Sequence, residues 1–349
     1  MSSKIISVVI PCYNSENFIE DAIESVLNQN YSDSIEIIVV DDGSIDKTRE
    51  RCLKYIESGK IKYFKIKNHG AGYARNYGIK HAAGKWLMFL DADDLLFIDS
   101  NDYVISALLQ NETRDILYFG KVQTNMELTD EPIISLPQKV NQIKNNIPKL
   151  EFWTCVYKTT FLKENNVSFF EYREQDIETA FRYRAFSKTN AIKSINMPLI
   201  VQRNNLNSNT HTWNRYVLYS VKAKVFYQLF SETSFINDKK QLLRVVLGNL
   251  FAYYKLSMIE GYQDDKTFQD IHKILEKLKS ENISLNIKYI FSTFIDTLIY
   301  KRLFVPRIKN KTKEVANSDA IKYSSDVDTI VLKLKKISSD TMKILIDKI

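Results

Sequence analysis

Cysteine is scarce in this chain, and what there is excludes most cysteine chemistry. Cys12, Cys52 and Cys155 are odd in number and far apart, so they make neither a zinc-ligand spacing nor a disulfide framework. Buried free thiols in a reducing compartment are expected instead. Glycine and proline, at 9 and 6 residues, are too few for long disordered stretches. No segment reaches the roughly 18 uncharged apolar residues of a membrane span. Met1-Ser2-Ser3-Lys4 leads straight into a strand-like run with no leader pattern. A Gly-x-Gly-x-x-Gly turn is also missing, which excludes a dinucleotide dehydrogenase.

What is present suits a globular protein. Of 349 residues, 44% are hydrophobic and 26% charged, enough apolar material for a full core in one large or two smaller domains. The net charge of +7 is uneven: residues 301–349 hold twelve basic and six acidic side chains, about +6. Either this tail is a solvated helical surface, or it meets an anionic partner such as lipid headgroups. No aromatic-basic module accompanies it, so nucleic acid is not expected as a partner.

Hydrophobic patterning divides the chain near residue 214. Continuous apolar runs at Ile5–Ile10, Ile35–Val40, Ile61–Ile66 and Trp86–Leu90 read as strands. Helical spacing follows the first, with Asn14 or Ser15 as cap, and recurs at about 46–56 and 73–83. Alternation at this interval predicts a mostly parallel sheet with helices on both faces. Ile116–Phe119, Trp153–Tyr157 and 198–203 look like further strands, with a short helix at 161–165 and a longer one at 176–186. Residues 121–150 read as an irregular polar excursion with three prolines. The expected division is an α/β domain over 1–214 and a mainly helical domain over 215–349. The apolar, aromatic segment 287–304 is either a core helix, an interfacial helix or a dimer contact.

Ligands of parallel sheets bind beyond the carboxyl ends of the strands. Polar clusters sit there: Pro11–Asn14 after the first strand, Asp41–Ser44 after the second, Asp91–Asp94 after the fourth. Asp91 and Asp93, two apart, would point the same way on a continuing strand and share one hard divalent cation. Such a cation would bridge a diphosphate. Asp42 could accept the N3–H of a uracil ring on which Tyr13 stacks. Arg75 would reach a phosphate, or form a structural ion pair.

Four motifs in this order resemble the family 2 glycosyltransferases: Val8–Asn14, Ile37–Asp46, Gly72–Ile79 and Phe89–Asp94, spanning residues 4–97. The resemblance implies a GT-A fold, Rossmann-like, and a nucleotide-sugar donor, UDP-sugar favoured. It also implies a divalent metal, Mn²⁺ or Mg²⁺, and inversion at the anomeric carbon. By the same resemblance Pro11, Tyr13 and Asp42 line the base site, Asp91 sits near ribose and metal, and Asp93 is the main metal ligand. A weaker likeness at Glu174-Gln175-Asp176 makes Asp176 the catalytic base, with Gln175 where members carry Glu. His211, after Ser208-Asn209-Thr210, is a candidate metal or diphosphate contact.

The implied acceptor is a glycan or a lipid- or protein-linked glycoconjugate of the kind bacterial polysaccharide enzymes use. The implied place is the cytoplasm, with the inner membrane face as an option through the basic tail, and a homo-oligomer is left open. A sugar-phosphate nucleotidyltransferase would need a Gly-rich loop where Pro11-Cys12-Tyr13-Asn14 stands. A non-catalytic glycosyltransferase-like partner subunit is the remaining alternative.

Overall fold

The computed structural model describes residues 4–30, 32–97, 100–137, 151–171, 177–204 and 215–232, with isolated positions out to 273. It opens with alternating elements: β1 (Ile6–Cys12), α1 (Ile19–Leu27), β2 (Ile35–Asp41), α2 (Thr48–Glu57), β3 (Lys62–Lys65), α3 (Ala71–His81) and β4 (Trp86–Phe89). Then follow β5 (Leu95–Leu96), α4 (Ser100–Gln110), β6 (Ile116–Asn125) and β7 (Ile133–Ser135). A one-turn helix, Phe152–Thr154, precedes β8 (Cys155–Lys158), α5 (Thr159–Glu164), α6 (Ile177–Ser187), β9 (Ile192–Asn204) and α7 (Arg215–Glu232). By contacts, the described residues up to Asn204 fall in one compact unit and α7 in another.

One sheet runs in the order β3-β2-β1-β4-β8-β6-β9-β5, with β7 added to β6. The first four strands are parallel, as expected from their spacing. The second half is mixed: β8 runs antiparallel to β4 and β6, while β6 and β9 are parallel. Every residue of β1 and β2 is buried, which is why both strands read as unbroken apolar runs. Val8 and Ile10 join the core of α1 and α2, where Ile19, Ile23, Val26 and Cys52 pack. Val9 faces the other way, against α3. A Cβ on Gly78 would lie 2.2 Å from Val9 Cγ1, so glycine is what lets α3 lie this close to β1. Layers therefore cover both faces.

Several expectations are corrected. The region from 121 is not irregular throughout: β6 continues to Asn125 and β7 pairs with it through Lys121, Val122 and Gln123. Gly120 stands at the handover from β8 to β7, where a Cβ would meet the Ser135 carbonyl at 2.5 Å. Neither Asn14 nor Ser15 caps α1 with its side chain; the Ser15 carbonyl accepts Phe18 N–H and Ile19 N–H, both at 3.0 Å. The strand expected from Trp153 begins at Cys155, because Phe152–Thr154 forms a helical turn. All three cysteines are buried and free, as expected. The segments 287–304 and 301–349 lie outside the described residues. No described helix is long and apolar enough to cross a membrane.

At the end of the sheet away from the candidate site, Glu36 ties three elements together. Its Oε2 accepts Ser7 Oγ at 2.5 Å and Ala83 N–H at 2.9 Å, and its Oε1 accepts the Lys62 ammonium. Burial pushes the Glu36 pKa up, but those three bonds outweigh it and hold the group below its usual 4.5. Its stabilisation is thus complete above 4.5 and is lost as pH falls through the depressed folded value. Glu36→Gln should cost about 1–3 kcal/mol near neutral pH. Thermal or urea unfolding should show that difference shrinking as the medium is acidified; an unchanged difference would remove the charge from the account.

Candidate active site

Three strand-end loops are laced together by backbone hydrogen bonds. Asn14, at φ 50°, donates its N–H to Ser44 Oγ at 2.9 Å, and its Oδ1 accepts Ile45 N–H at 3.0 Å. Ser15 N–H reaches Thr48 Oγ1 at 2.8 Å, and Glu16 N–H reaches Asp46 Oδ2 at 3.0 Å. Asp41 turns inward, accepting Ser44 N–H at 2.7 Å and the Tyr63 hydroxyl. Asp42, only 4% exposed, accepts His69 N–H at 2.8 Å on one oxygen and Gly70 N–H at 2.7 Å on the other. Thus the loop before α3 is held by the same residue expected at the base. Pro11 is buried inside β1, opposite Val40. Tyr13, just beyond, is 48% exposed with its ring free to receive a flat partner.

Asp91–Asp94 forms a tight turn rather than a continuing strand. β4 stops at Phe89, and Asp94 N–H closes on the Asp91 carbonyl at 3.0 Å. Strand alternation therefore does not aim Asp91 and Asp93, and the expectation built on it is corrected; the turn brings the carboxylates together instead. Arg75, 5% exposed, donates Nη2 to Asp91 Oδ1 at 2.8 Å and lies 3.7 Å from the Glu178 carboxylate. The ion-pair reading of Arg75 is what this geometry contains. On the other side Arg203 donates its backbone N–H to Asp94 Oδ1 at 2.9 Å, Nε to the Asp93 carbonyl, and Nη1 to Asp21 Oδ2 at 2.8 Å. Burial, then the Asp93 and Asp91 charges, push Asp94 well above the usual carboxylate range. The turn thus gathers three carboxyl groups, Asp91, Asp93 and Asp94, just beyond β4.

That grouping bears on metal binding. Among the described residues no group of three His, Cys, Asp or Glu encloses an ion. A hard cation such as Mg²⁺ needs no such cage; it takes one or two carboxylates and completes its shell with water and substrate phosphate. Asp91 and Asp93, both partly exposed, fit that donor set.

An aromatic platform carries Arg75. Its guanidinium carbon lies 4.7 Å from the Phe152 ring centre and 5.3 Å from that of Phe169. Phe169 stacks on Phe181 of α6 at 4.0 Å and 5°. Asn76 fixes this loop, accepting Phe169 N–H at 2.8 Å and donating to its carbonyl at 3.0 Å. α6 is thereby held beside Arg75, and it begins at Ile177, the residue after Asp176. Asp176 itself, Gln175 and His211 lie outside the described residues.

Sequence reasoning missed Asp21, Glu178 and Phe152. Asp21 had one signal: an acid among buried positions of an amphipathic helix, between Ile19 and Ala22. Nothing local marked its partner, 182 positions away.

A family model described as glycosyl transferase family 2 matches residues 7–170. Residues 7–170 are a family 2 glycosyltransferase domain. An uncharacterized glycosyltransferase of Rickettsia typhi is 40% identical over 134 residues, 38% of this chain and 40% of the relative. The uncharacterized glycosyltransferase EpsJ of Bacillus subtilis is 30% identical over 226 residues, 59% of this chain and 63% of EpsJ. The chain thus spans less than two-thirds of the length of either relative. Residues 1–349 of S. aureus TarS, crystallised with UDP-GlcNAc, match with TM-score 0.58 at 21% identity, covering 78% of this chain and 79% of that one. That likeness concerns fold, and the glycosyltransferase domain has the mixed α/β GT-A architecture.

The glycosyltransferase domain should depend on Arg203 for its acidic turn. Arg203→Met strands the Asp21 carboxylate, which is 9% exposed, and should cost about 3–5 kcal/mol. Adding Asp21→Asn should restore part of that loss. Denaturant titration of both variants is the check; a double variant no more stable than Arg203→Met would break the pairing argument.

Proposed function

We propose that this chain is an inverting glycosyltransferase, moving a sugar from a nucleotide-diphosphate donor to an acceptor hydroxyl on a glycan or glycoconjugate. One observation carries the reading: a family 2 domain whose three-carboxyl turn, Asp91–Asp94, lies beyond the end of β4 in its parallel half-sheet. The complex of TarS with UDP-GlcNAc supports UDP as the nucleotide. Tyr13 offers its exposed ring to the base. Each Asp42 oxygen keeps a second lone pair beside its loop bond, so the group can still accept the N3–H of uracil.

Asp93, with Asp91, would hold a divalent cation, which supplies charge neutralisation on the departing diphosphate. Asp176 takes the proton from the acceptor hydroxyl as its oxygen attacks the anomeric carbon. The bond to the diphosphate breaks on the opposite face, so configuration inverts. Arg75, held on its aromatic platform, keeps the Asp91 carboxylate oriented. The chain beyond residue 214, with its basic tail, would provide acceptor, oligomer or membrane-surface contacts.

Calorimetric titration with UDP should show binding in Mn²⁺ that weakens at least about tenfold, or roughly 1.4 kcal/mol, in EDTA or in Asp93→Ala. GDP and dTDP are expected to bind more weakly. Folded protein that takes up no nucleotide with metal present would overturn the enzyme reading. Separately, Asp176→Asn should keep UDP binding and lose transfer; retained transfer would remove Asp176 from its role.

A further inference from the structure

A second polar cluster lies on the mixed half of the sheet, and the mechanism above does not use it. Lys121 and Gln123 of β6 project to one face, while Val122 between them packs with Leu95, Phe97 and Val201 on the other. Lys121 is buried, and its ammonium donates to Glu151 Oε1 at 2.6 Å and to Gln202 Oε1 at 2.7 Å. Gln123, paired with Gln202 across the β6–β9 register, donates to the same amide oxygen at 3.1 Å. The Trp153 ring lies 6.0 Å from the Lys121 ammonium. Its buried indole N–H has no acceptor among the described residues.

We infer that this cluster is a subsite for one neutral pyranose ring of the acceptor. The choice of ligand follows from charge. Glu151 already neutralises Lys121, so a phosphate or carboxylate would meet a carboxylate as well as a cation. Hydroxyl groups suit the set far better: they donate to Glu151 and the Gln123 amide oxygen, and accept from the amide nitrogens and the orphaned indole N–H. The indole face offers apolar area to the C–H face of the ring. The cluster also neighbours the donor site. The single turn Phe152–Thr154 presents Phe152 to Arg75 and the next residue, Trp153, to Lys121. This inference rests on the glycosyl-transfer reading and names the acceptor class for it.

Saturation-transfer NMR with methyl glucoside, methyl galactoside and methyl N-acetylglucosaminide tests it without a known acceptor. At least one should receive saturation on its ring protons from the 349-residue chain, and should still do so with saturating UDP-GlcNAc. The signal should fall severalfold in Trp153→Leu and in Gln123→Ala, the second variant guarding against a misfolded first. UDP titration of both variants should match the unmodified chain. Absence of transfer from every glycoside, or transfer unchanged in both folded variants, overturns the subsite. Competition by UDP-GlcNAc but not by UDP would place the donor's own sugar there and overturn it equally. Failure of UDP to bind at all would instead remove the glycosyltransferase reading.

Discussion

Crowding three carboxylates into the four residues Asp91–Asp94 sets the constraint around which the site is built. Burial, and then the Asp93 and Asp91 charges, raise the cost of ionising Asp94. The chain meets this with two arginines from distant elements. Arg75 comes from α3 and takes Asp91; Arg203 comes from the end of β9 and takes the Asp93 carbonyl, the Asp94 carboxylate and Asp21. A lysine would keep the backbone donor to Asp94 but lack the planar fork that reaches the Asp93 carbonyl and the Asp21 carboxylate together. Both arginines are nearly enclosed, so neither pair is screened by solvent as surface bridges are.

Those arginines constrain the rest of the fold in turn. Arg75 reaches Asp91 only because α3 lies flat against β1, and α3 lies flat only because residue 78 has no side chain. The platform under Arg75 needs Phe152 from the turn before β8 and Phe169 from the loop after α5. Arg203 sits at its post because β9, thirteen residues long, pairs with β6 at nine positions despite register shifts on both sides of Gly120. A site built from short loops thus depends on both halves of the sheet. The loops themselves add rigidity, since Asn14, Ser44, Asp46 and Asp42 exchange bonds with backbone rather than with one another's side chains.

What the sequence made legible was what repeats or lies close along the chain. The first four strands and the helices between them showed in unbroken apolar runs and helical spacing, because buried parallel strands have no polar face to interrupt them. The motif residues could be placed at strand ends by the same patterning. The aim of Asp91 and Asp93 could not, because the spacing argument assumed a strand where the chain makes a turn. Arg203 stood in a recognisable segment, yet its bond to Asp21 spans 182 positions and left no local trace. β7 was missed for a related reason: three residues with alternating exposure among polar neighbours carry too little signal to read as a strand.

The two halves of the sheet divide the work by their chemistry. In the parallel half, strand ends converge on one rim, and that rim supplies carboxylates and backbone N–H groups suited to a charged, metal-assisted diphosphate. In the mixed half the polar residues lie on a strand face, where neighbouring side chains of β6 and β9 form a patch of amides with one neutralised ion pair. A patch of that kind discriminates by hydrogen-bond geometry rather than by charge, which suits uncharged hydroxyls. A shared diphosphate leaving group requires the first kind of surface to keep its residues in fixed order, and those residues are the readable motifs. Recognition of a sugar at the inferred subsite would place no such demand on sequence order, because residues 121, 151 and 202 are brought together only by folding. On that inference, specificity would be set by the part of the chain whose chemistry emerges only in three dimensions.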